Sequence, residues 1–495
     1  MAQCSVRAVT VFGLEVLPVD VEVDVGAGLP SFAIVGLPDL AVQEARERVR
    51  SAVRASGFDV PNSRIVVNLA PGPVRKHGTG FDLAIALGLL VATGQVPPAV
   101  IAGCVVVGEL SLDGSVRSVP GMIAYALAAR DAQCALLGPL GLGAAENLDG
   151  LEYRTITHLR QARTVPLAAR PTQSDARSSF TRDSADFQEI VGHEQAKRAL
   201  LIAAAGGHNV LMVGPPGSGK TMLARRLPSI LPPLDDQERL ETAVIHSIAG
   251  LAESDVLEGV RPFRAPHHSA SIAGLVGGGS PARPGEASLA HNGVLFLDEM
   301  PEFGPASLQA LRQPMEDGLV TLVRVEGRMR FPSRFSLVGA ANPCPCGFRG
   351  DRARTCTCTP GVAARYLSRI GGPLIDRIDL VFDVDRIDPG LLLRESGGSS
   401  STVMRTKVLE SRDLASARGL GPTASLQGAA LLKACRLDGT GARQLEAAAR
   451  LKHLSGRGVT RLLRVARTVA DLDCAERVSV DHISEAMGFR AKEDC

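Results

Sequence analysis

The stretch "GPPGSGKT", residues 214 to 221, constrains this chain more than any other. It fits G-x-x-x-x-G-K-[ST] and lies between an apolar run, "NVLMV", and a helix-like segment, "MLARRL". Such a loop must join a buried strand to a helix. The backbone of Gly214, Pro215, Pro216, Gly217, Ser218 and Gly219 is then expected to wrap phosphates at the positive end of that helix. Lys220 would neutralise β- and γ-phosphate oxygens, and Thr221 would ligate Mg²⁺. The chemistry implied is binding of ATP with Mg²⁺, on an α/β fold.

Two further strand ends and two arginines are candidates for completing this site. "GVLFLDE", residues 293 to 299, reads as a buried parallel strand with Asp298 at its carboxyl end, placed to hold the Mg²⁺ shell. Glu299 follows, placed to orient or deprotonate the attacking water. "FSLVGAANP" ends a second strand at Asn342, whose amide can reach a γ-phosphate or the water. "GGPLIDRIDL" places Arg377 before another apolar strand. That guanidinium is either an arginine finger for a neighbouring subunit or an ordinary ion pair with Asp376 or Asp379. In "RGVTRLL", Arg461 opens a helix from which it could sense a γ-phosphate, with a structural role as the alternative.

At 495 residues the chain exceeds one ordinary core. Residues 1–165 alternate strand-like runs ("VEVDVGAG", "SFAIVG", "RIVVNLAP", "CVVVGELSLDG") with helical ones ("DLAVQEARERVRSAVRASGF", "GFDLAIALGLLVATG"), an α/β domain. Residues 166–186 are polar and read as a linker, 187–387 as the α/β nucleotide domain, and 388–495 as an all-helical domain after a loose start. No apolar run reaches the ~20 residues that span a bilayer. The amino terminus lacks a basic region followed by an apolar core, so a cytoplasmic protein with no membrane partner is expected. The net charge is only +2 and aromatics make up 3%, so a polyanion would have to be held by local arginines, without stacking platforms.

The order of these features resembles the AAA+ ATPases. "FRAPHHSASIAGLVGGG…ARPGEASLAHNGVLFLDEMPEF" and "GAANPCPCGFRGD…CTCTP" resemble, more narrowly, the Mg-chelatase-like AAA+ family known as ComM or YifB. The resemblance covers essentially the whole chain. It implies a homo-oligomeric ring, a hexamer, with the ATP site shared between neighbours. It also implies a DNA helicase driving branch migration during integration of transforming DNA, on single-stranded or branched substrates. Two other readings stay open: a Mg-chelatase motor subunit that couples ATP to Mg²⁺ insertion into a porphyrin, and a nucleotide-switched assembly factor.

Two segments are candidates for reaching a substrate. "RPFRAPHHSASIAGLVGGGSPARPGEASLAHNG" is rich in small residues and is expected to be an extended loop projecting towards a pore. Its His267 and His268 are expected to hydrogen-bond rather than bind metal. "GLVTLVRVEGRMRFPSRF" reads as a hairpin whose Arg324, Arg328 and Arg330 either track DNA phosphates or form a solvated face. Cys344, Cys346, Cys356 and Cys358 form C-x-C-x₉-C-x-C, which offers Zn²⁺ a tetrahedral thiolate site; free thiols are the alternative.

The amino-terminal domain is similar to the Lon peptidase fold through "VVNLAPGPVRKHGTGFDLAIALGLLVATG" and "VGELSLDGSVRSVPGMIAYALAA". Carried over on those motifs, Gly80 occupies the nucleophilic serine position and Ile123 the lysine position. Neither side chain can act as nucleophile or base, and Lys76 and His77 cannot replace them. A scaffold without proteolysis is expected.

Overall fold

The computed structural model describes residues 2–140, 148–164, 186–279, 282–324, 327–351, 353–388, 390, 398–419 and 421–490. The polar segment read as a linker lies outside them, apart from Asp186.

The centre of the molecule is a five-stranded sheet in the order Phe263–Arg264, Val294–Leu297, Ser336–Ala341, Val210–Val213, Leu380–Asp383, with every neighbouring pair parallel. The inner strands are apolar on both faces because both faces are covered. Val210, Met212, Phe296, Val338, Ala340 and Phe382 enter one core, while Leu211, Val213, Leu295, Leu297, Leu337 and Ala341 enter the other. That alternation follows from the period of two along a strand. All the carboxyl ends therefore lie along one edge, and the loops carrying Lys220, Asp298 and Asn342 leave from it.

The first of these cores also contains the carboxyl-terminal helices. Leu462, Val465, Ala466 and Val469 of the helix Gly456–Leu472 pack with Ala199, Leu200 and Ala203 of Glu194–Gly206. Polar contacts fix where this docking occurs. His208 Nε2 lies 2.8 Å from Thr468 Oγ1, and its Nδ1 lies 3.3 Å from Asp379. His208 and Asp379 precede the strands Val210–Val213 and Leu380–Asp383, so the helix seats on the amino edge of the sheet. The helical region starts earlier than its composition suggests. Ser400 caps a helix over Ser401–Ala417, and buried Ser401 is tied to Asp186, Phe187 and Ser229.

One ion pair is central to this helical region. Arg467 is wholly buried, donating to Asp471 at 2.8 Å and to the carbonyls of Ala434, Ala475 and Glu476. Asp471 also accepts from Arg418 at 2.7 Å. Removing one partner of a buried pair costs far more than the pair itself contributes. Arg467→Met is expected to destabilise the protein by about 3–5 kcal/mol in urea unfolding followed by circular dichroism. A loss under about 1 kcal/mol, the range of a surface pair, would show that the pair is dispensable.

The amino-terminal region has a sheet in the order Ala2–Phe12, Glu15–Gly26, Arg64–Ala70, Ser31–Val35. The helix Asp82–Ala92, buried from Asp82 to Leu90, and the amphipathic helix Leu40–Ala55 pack in the same core. A second sheet is Cys104–Val106, Ala135–Gly138, Tyr153–Thr155. The helix Met122–Asp131 leans on Asp236–Ala249 of the nucleotide domain, where Gly121 N–H donates to Ser247 O at 2.8 Å. Gly80 faces this helix, since a Cβ built there would lie 3.2 Å from the Tyr125 hydroxyl. Ile123 is buried, and Lys76 is buried against the carbonyl of Pro71. Among the described residues no helix is long and apolar enough to cross a membrane.

Candidate nucleotide site

The strand Val210–Val213 ends in the loop 214–219, and the helix Lys220–Ile230 begins directly after it. Gly217 and Gly219 take positive φ, 77° and 88°, which bends the loop around its own amides. Lys220 is buried beneath the loop. Its Nζ donates to the carbonyls of Gly214 at 2.7 Å and Pro215 at 2.9 Å, and lies 3.4 Å from Asn342 Oδ1. Burial pushes its ammonium below lysine's ordinary pKa, while Asp298 and Glu299 act against that.

Thr221 Oγ1 donates to Asp298 Oδ2 at 2.7 Å. A hydroxyl and a carboxylate in contact at the mouth of the loop are the hard oxygen donors that Mg²⁺ takes, so these residues fit the ion. Glu299 follows in a left-handed conformation, φ 49°, an uncommon backbone state for a residue with a Cβ. Its side chain is 54% exposed, so its carboxylate is open to water, and it lies 3.7 Å from His268 Nδ1.

His268 reaches beyond its own loop, to the water-activating candidate. His267 does bond locally, to Ser269 at 2.8 Å. The segment carrying them is not an extended loop. It holds the helices Ile272–Val276 and Glu286–Leu289, and Leu275, Ala287 and Ala290 are buried against the sheet's second face. Small residues suit close packing as well as exposure, and here packing wins.

The two candidate arginines lie together at the opposite edge of the sheet. Arg377 stands just before Leu380–Asp383, and its carbonyl accepts from Asn209 at 2.9 Å. Its guanidinium pairs with Glu316, not with Asp376 or Asp379, and also meets the carbonyl of Pro373. Burial, then the charges of Arg312 and Arg457, push its pKa down. Its Nε has no hydrogen-bond partner among the described residues. Arg461 does not approach the nucleotide loop of its own chain. It donates to the carbonyls of Ile375 at 3.0 Å and Ile378 at 3.1 Å and meets Asp376 at 3.3 Å. The docking of its helix on the amino edge puts it there.

The hairpin is present as Leu319–Arg324 paired with Gly327–Pro332. Arg328 and Arg330 stand exposed on one face, opposite Val323 and Thr321. Arg324, opposite Gly327, belongs to the other face, which further down carries buried Val320, Met329 and Phe331. The arginines therefore divide two and one. The four cysteine sulfurs lie within 4.8 Å of one another. Arg386 is a contact that sequence reading missed. It donates to the Pro216 carbonyl at 3.1 Å, and only the folded path of a distant loop brings it there.

Strand order, phosphate loop and acidic strand end together define a P-loop domain of the AAA+ kind. Comparison with known proteins narrows this. The family model "Magnesium chelatase, subunit ChlI" matches residues 186–391, "Subunit ChlI of Mg-chelatase" matches 21–138, and "Magnesium chelatase, subunit ChlI C-terminal" matches 398–490. YifB of Salmonella typhimurium is 40% identical over 505 residues, covering 99% of this chain and 97% of that protein. The competence protein ComM of Haemophilus influenzae is 40% identical over 494 residues, covering 97% and 96%. The magnesium-chelatase 38 kDa subunit of Rhodobacter capsulatus is 27% identical over 345 residues, covering 65% of this chain and 92% of that protein. The chain belongs to the Mg-chelatase-like family that includes YifB and ComM.

Proposed function

We infer that this chain hydrolyses ATP as a subunit of a ring, hexameric in form, and that the ring drives DNA remodelling of the helicase or branch-migration kind in recombination or natural transformation. The observation that carries the hydrolytic part is the convergence of Lys220, Thr221, Asp298 and Asn342 from three strand ends at one loop. Lys220 binds phosphate, Thr221 and Asp298 hold Mg²⁺, Glu299 activates water, and Asn342 orients it or the γ-phosphate. Zn²⁺ occupies the four thiols as a structural metal.

Arg377 precedes Leu380–Asp383, at the opposite edge of the sheet from its own loop, which supports a finger role towards a neighbour. Arg461 brackets it by holding the carbonyls of Ile375 and Ile378, so its role becomes positioning of that finger. DNA as substrate draws support from the exposed Arg328 and Arg330 and from full-length likeness to a protein named for competence. A second reading, a chelatase motor, is favoured by the names of the matching family models.

Steady-state ATP turnover separates the two readings, measured with no DNA, single strands, branched duplex, or protoporphyrin with Mg²⁺. Stimulation by DNA is expected, and Arg328→Ala with Arg330→Ala should abolish it while leaving basal turnover intact. Arg324→Ala, on the other hairpin face, should have the smaller effect. A flat response to every DNA with a rise on porphyrin would make the chelatase reading the better one.

A further inference from the structure

Between the strand ending at Ala341 and the helix starting at Pro360 there is neither helix nor strand among the described residues. Cys344 is its one buried apolar side chain among the described residues. Among the described residues no ladder fixes its path. What the loop does contain is the cysteine cluster. Cys344 and Cys346 sulfurs lie 3.3 Å apart, and Cys356 lies 3.6 Å from each. A tetrahedral Zn²⁺ with bonds of about 2.3 Å needs sulfurs about 3.8 Å apart, so a slight expansion accommodates the ion. The Cys358 amide faces Cys356 Sγ at 3.4 Å, a donor of the sort that supports a metal-bound thiolate.

The same loop forms a wall of the nucleotide site. Asn342 at its start meets Lys220. Gly347 lies so close to the phosphate loop that a Cβ there would fall 2.6 Å from Pro216 Cδ, and its φ of 82° would strain a side chain independently. Arg386 spans both: its Nε sits 3.0 Å from the Asp351 carboxylate, and its Nη2 donates to the Pro216 carbonyl at 3.1 Å.

We propose that one Zn²⁺ bound by Cys344, Cys346, Cys356 and Cys358 holds this wall against the phosphate loop, so that zinc occupancy sets the affinity for ATP. The inference rests on the nucleotide and zinc readings above and adds their coupling. Without the metal, residues 342–351 lose their anchor, and the contacts of Asn342, Gly347 and Asp351 no longer restrain Lys220 and Pro216. Metal binding and loop ordering are then one equilibrium.

The test uses the full chain, elemental analysis and titration with a fluorescent ATP analogue in Mg²⁺. One zinc per chain is expected, lost in Cys356→Ser with Cys358→Ser. A zinc-selective chelator should weaken analogue binding by about tenfold or more, the weight of one hydrogen bond to a charged group, and added Zn²⁺ should restore it. Gly347→Ala should keep its zinc and lose affinity to a similar degree, which tests the contact without touching a thiol. A chain that neither carries nor takes up zinc would overturn the site. Unchanged affinity after zinc removal and in Gly347→Ala would overturn the coupling and leave the metal site standing. Zinc-loaded wild-type protein that binds no analogue would overturn the nucleotide reading and this inference with it.

Discussion

Lys220→Ala is expected to abolish nucleotide binding, whereas Glu299→Gln should bind ATP normally and hydrolyse it about 10²–10⁴-fold more slowly. The two side chains stand at one site in different environments. The Lys220 ammonium is buried, held by carbonyls of its own loop and one strand-end amide. A triphosphate offers it stronger, charged acceptors in the same place, so the ammonium contributes to ground-state binding. Glu299 is half-exposed, takes no part in the loop, and carries its carboxylate on a backbone in the left-handed region. Its replacement by the isosteric amide leaves the Thr221–Asp298 contact intact and removes only the base. Analogue titration and single-turnover phosphate release measure the two effects separately. Equal loss of binding in both variants would refute the division of roles.

The legible parts of this site were those where phosphate chemistry dictates residue type at adjacent positions. The loop 214–221 and Asp298–Glu299 each sit at the end of an apolar run, and parallel strands bring such ends to one edge. Asn342 was legible for the same reason. Arg461 was not. Its helix has a clear apolar stripe, but a stripe does not reveal which end of the sheet it covers. That depended on His208, Asp379 and Thr468 meeting at the amino edge. The insertion before Val294 misled by composition, since its alanines and glycines pack Leu275 into the core rather than lengthen a free loop. The strand Ala2–Phe12 went unread, although Val6, Ala8 and Thr10 alternate inward. The partner of Arg377, Glu316, lies on a helix far back in the chain, and no local pattern points to it.

Arg377→Ala should lower ATP turnover by about 10³-fold or more while sparing nucleotide binding, if its guanidinium completes a neighbour's site. The geometry favours transfer between subunits, because Arg377 and Lys220 occupy opposite edges of the same sheet. Within one chain the arginine is held by Glu316 in the company of Arg312 and Arg457. That cluster has more positive than negative charge and an Nε without a partner among the described residues, an arrangement that a neighbour's triphosphate would satisfy. Mixed rings decide the matter. Arg377→Ala subunits retain Glu299, and Glu299→Gln subunits retain Arg377, so equal mixing gives about a quarter of interfaces with both groups. Two inactive proteins should then regain turnover on mixing, in proportion to those interfaces. If each arginine instead served its own chain, no interface would be complete and the mixture would stay inactive. Glu316→Gln supplies the complementary arm: freed from its carboxylate, Arg377 should raise turnover, whereas a purely structural ion pair would lose stability with no gain in rate.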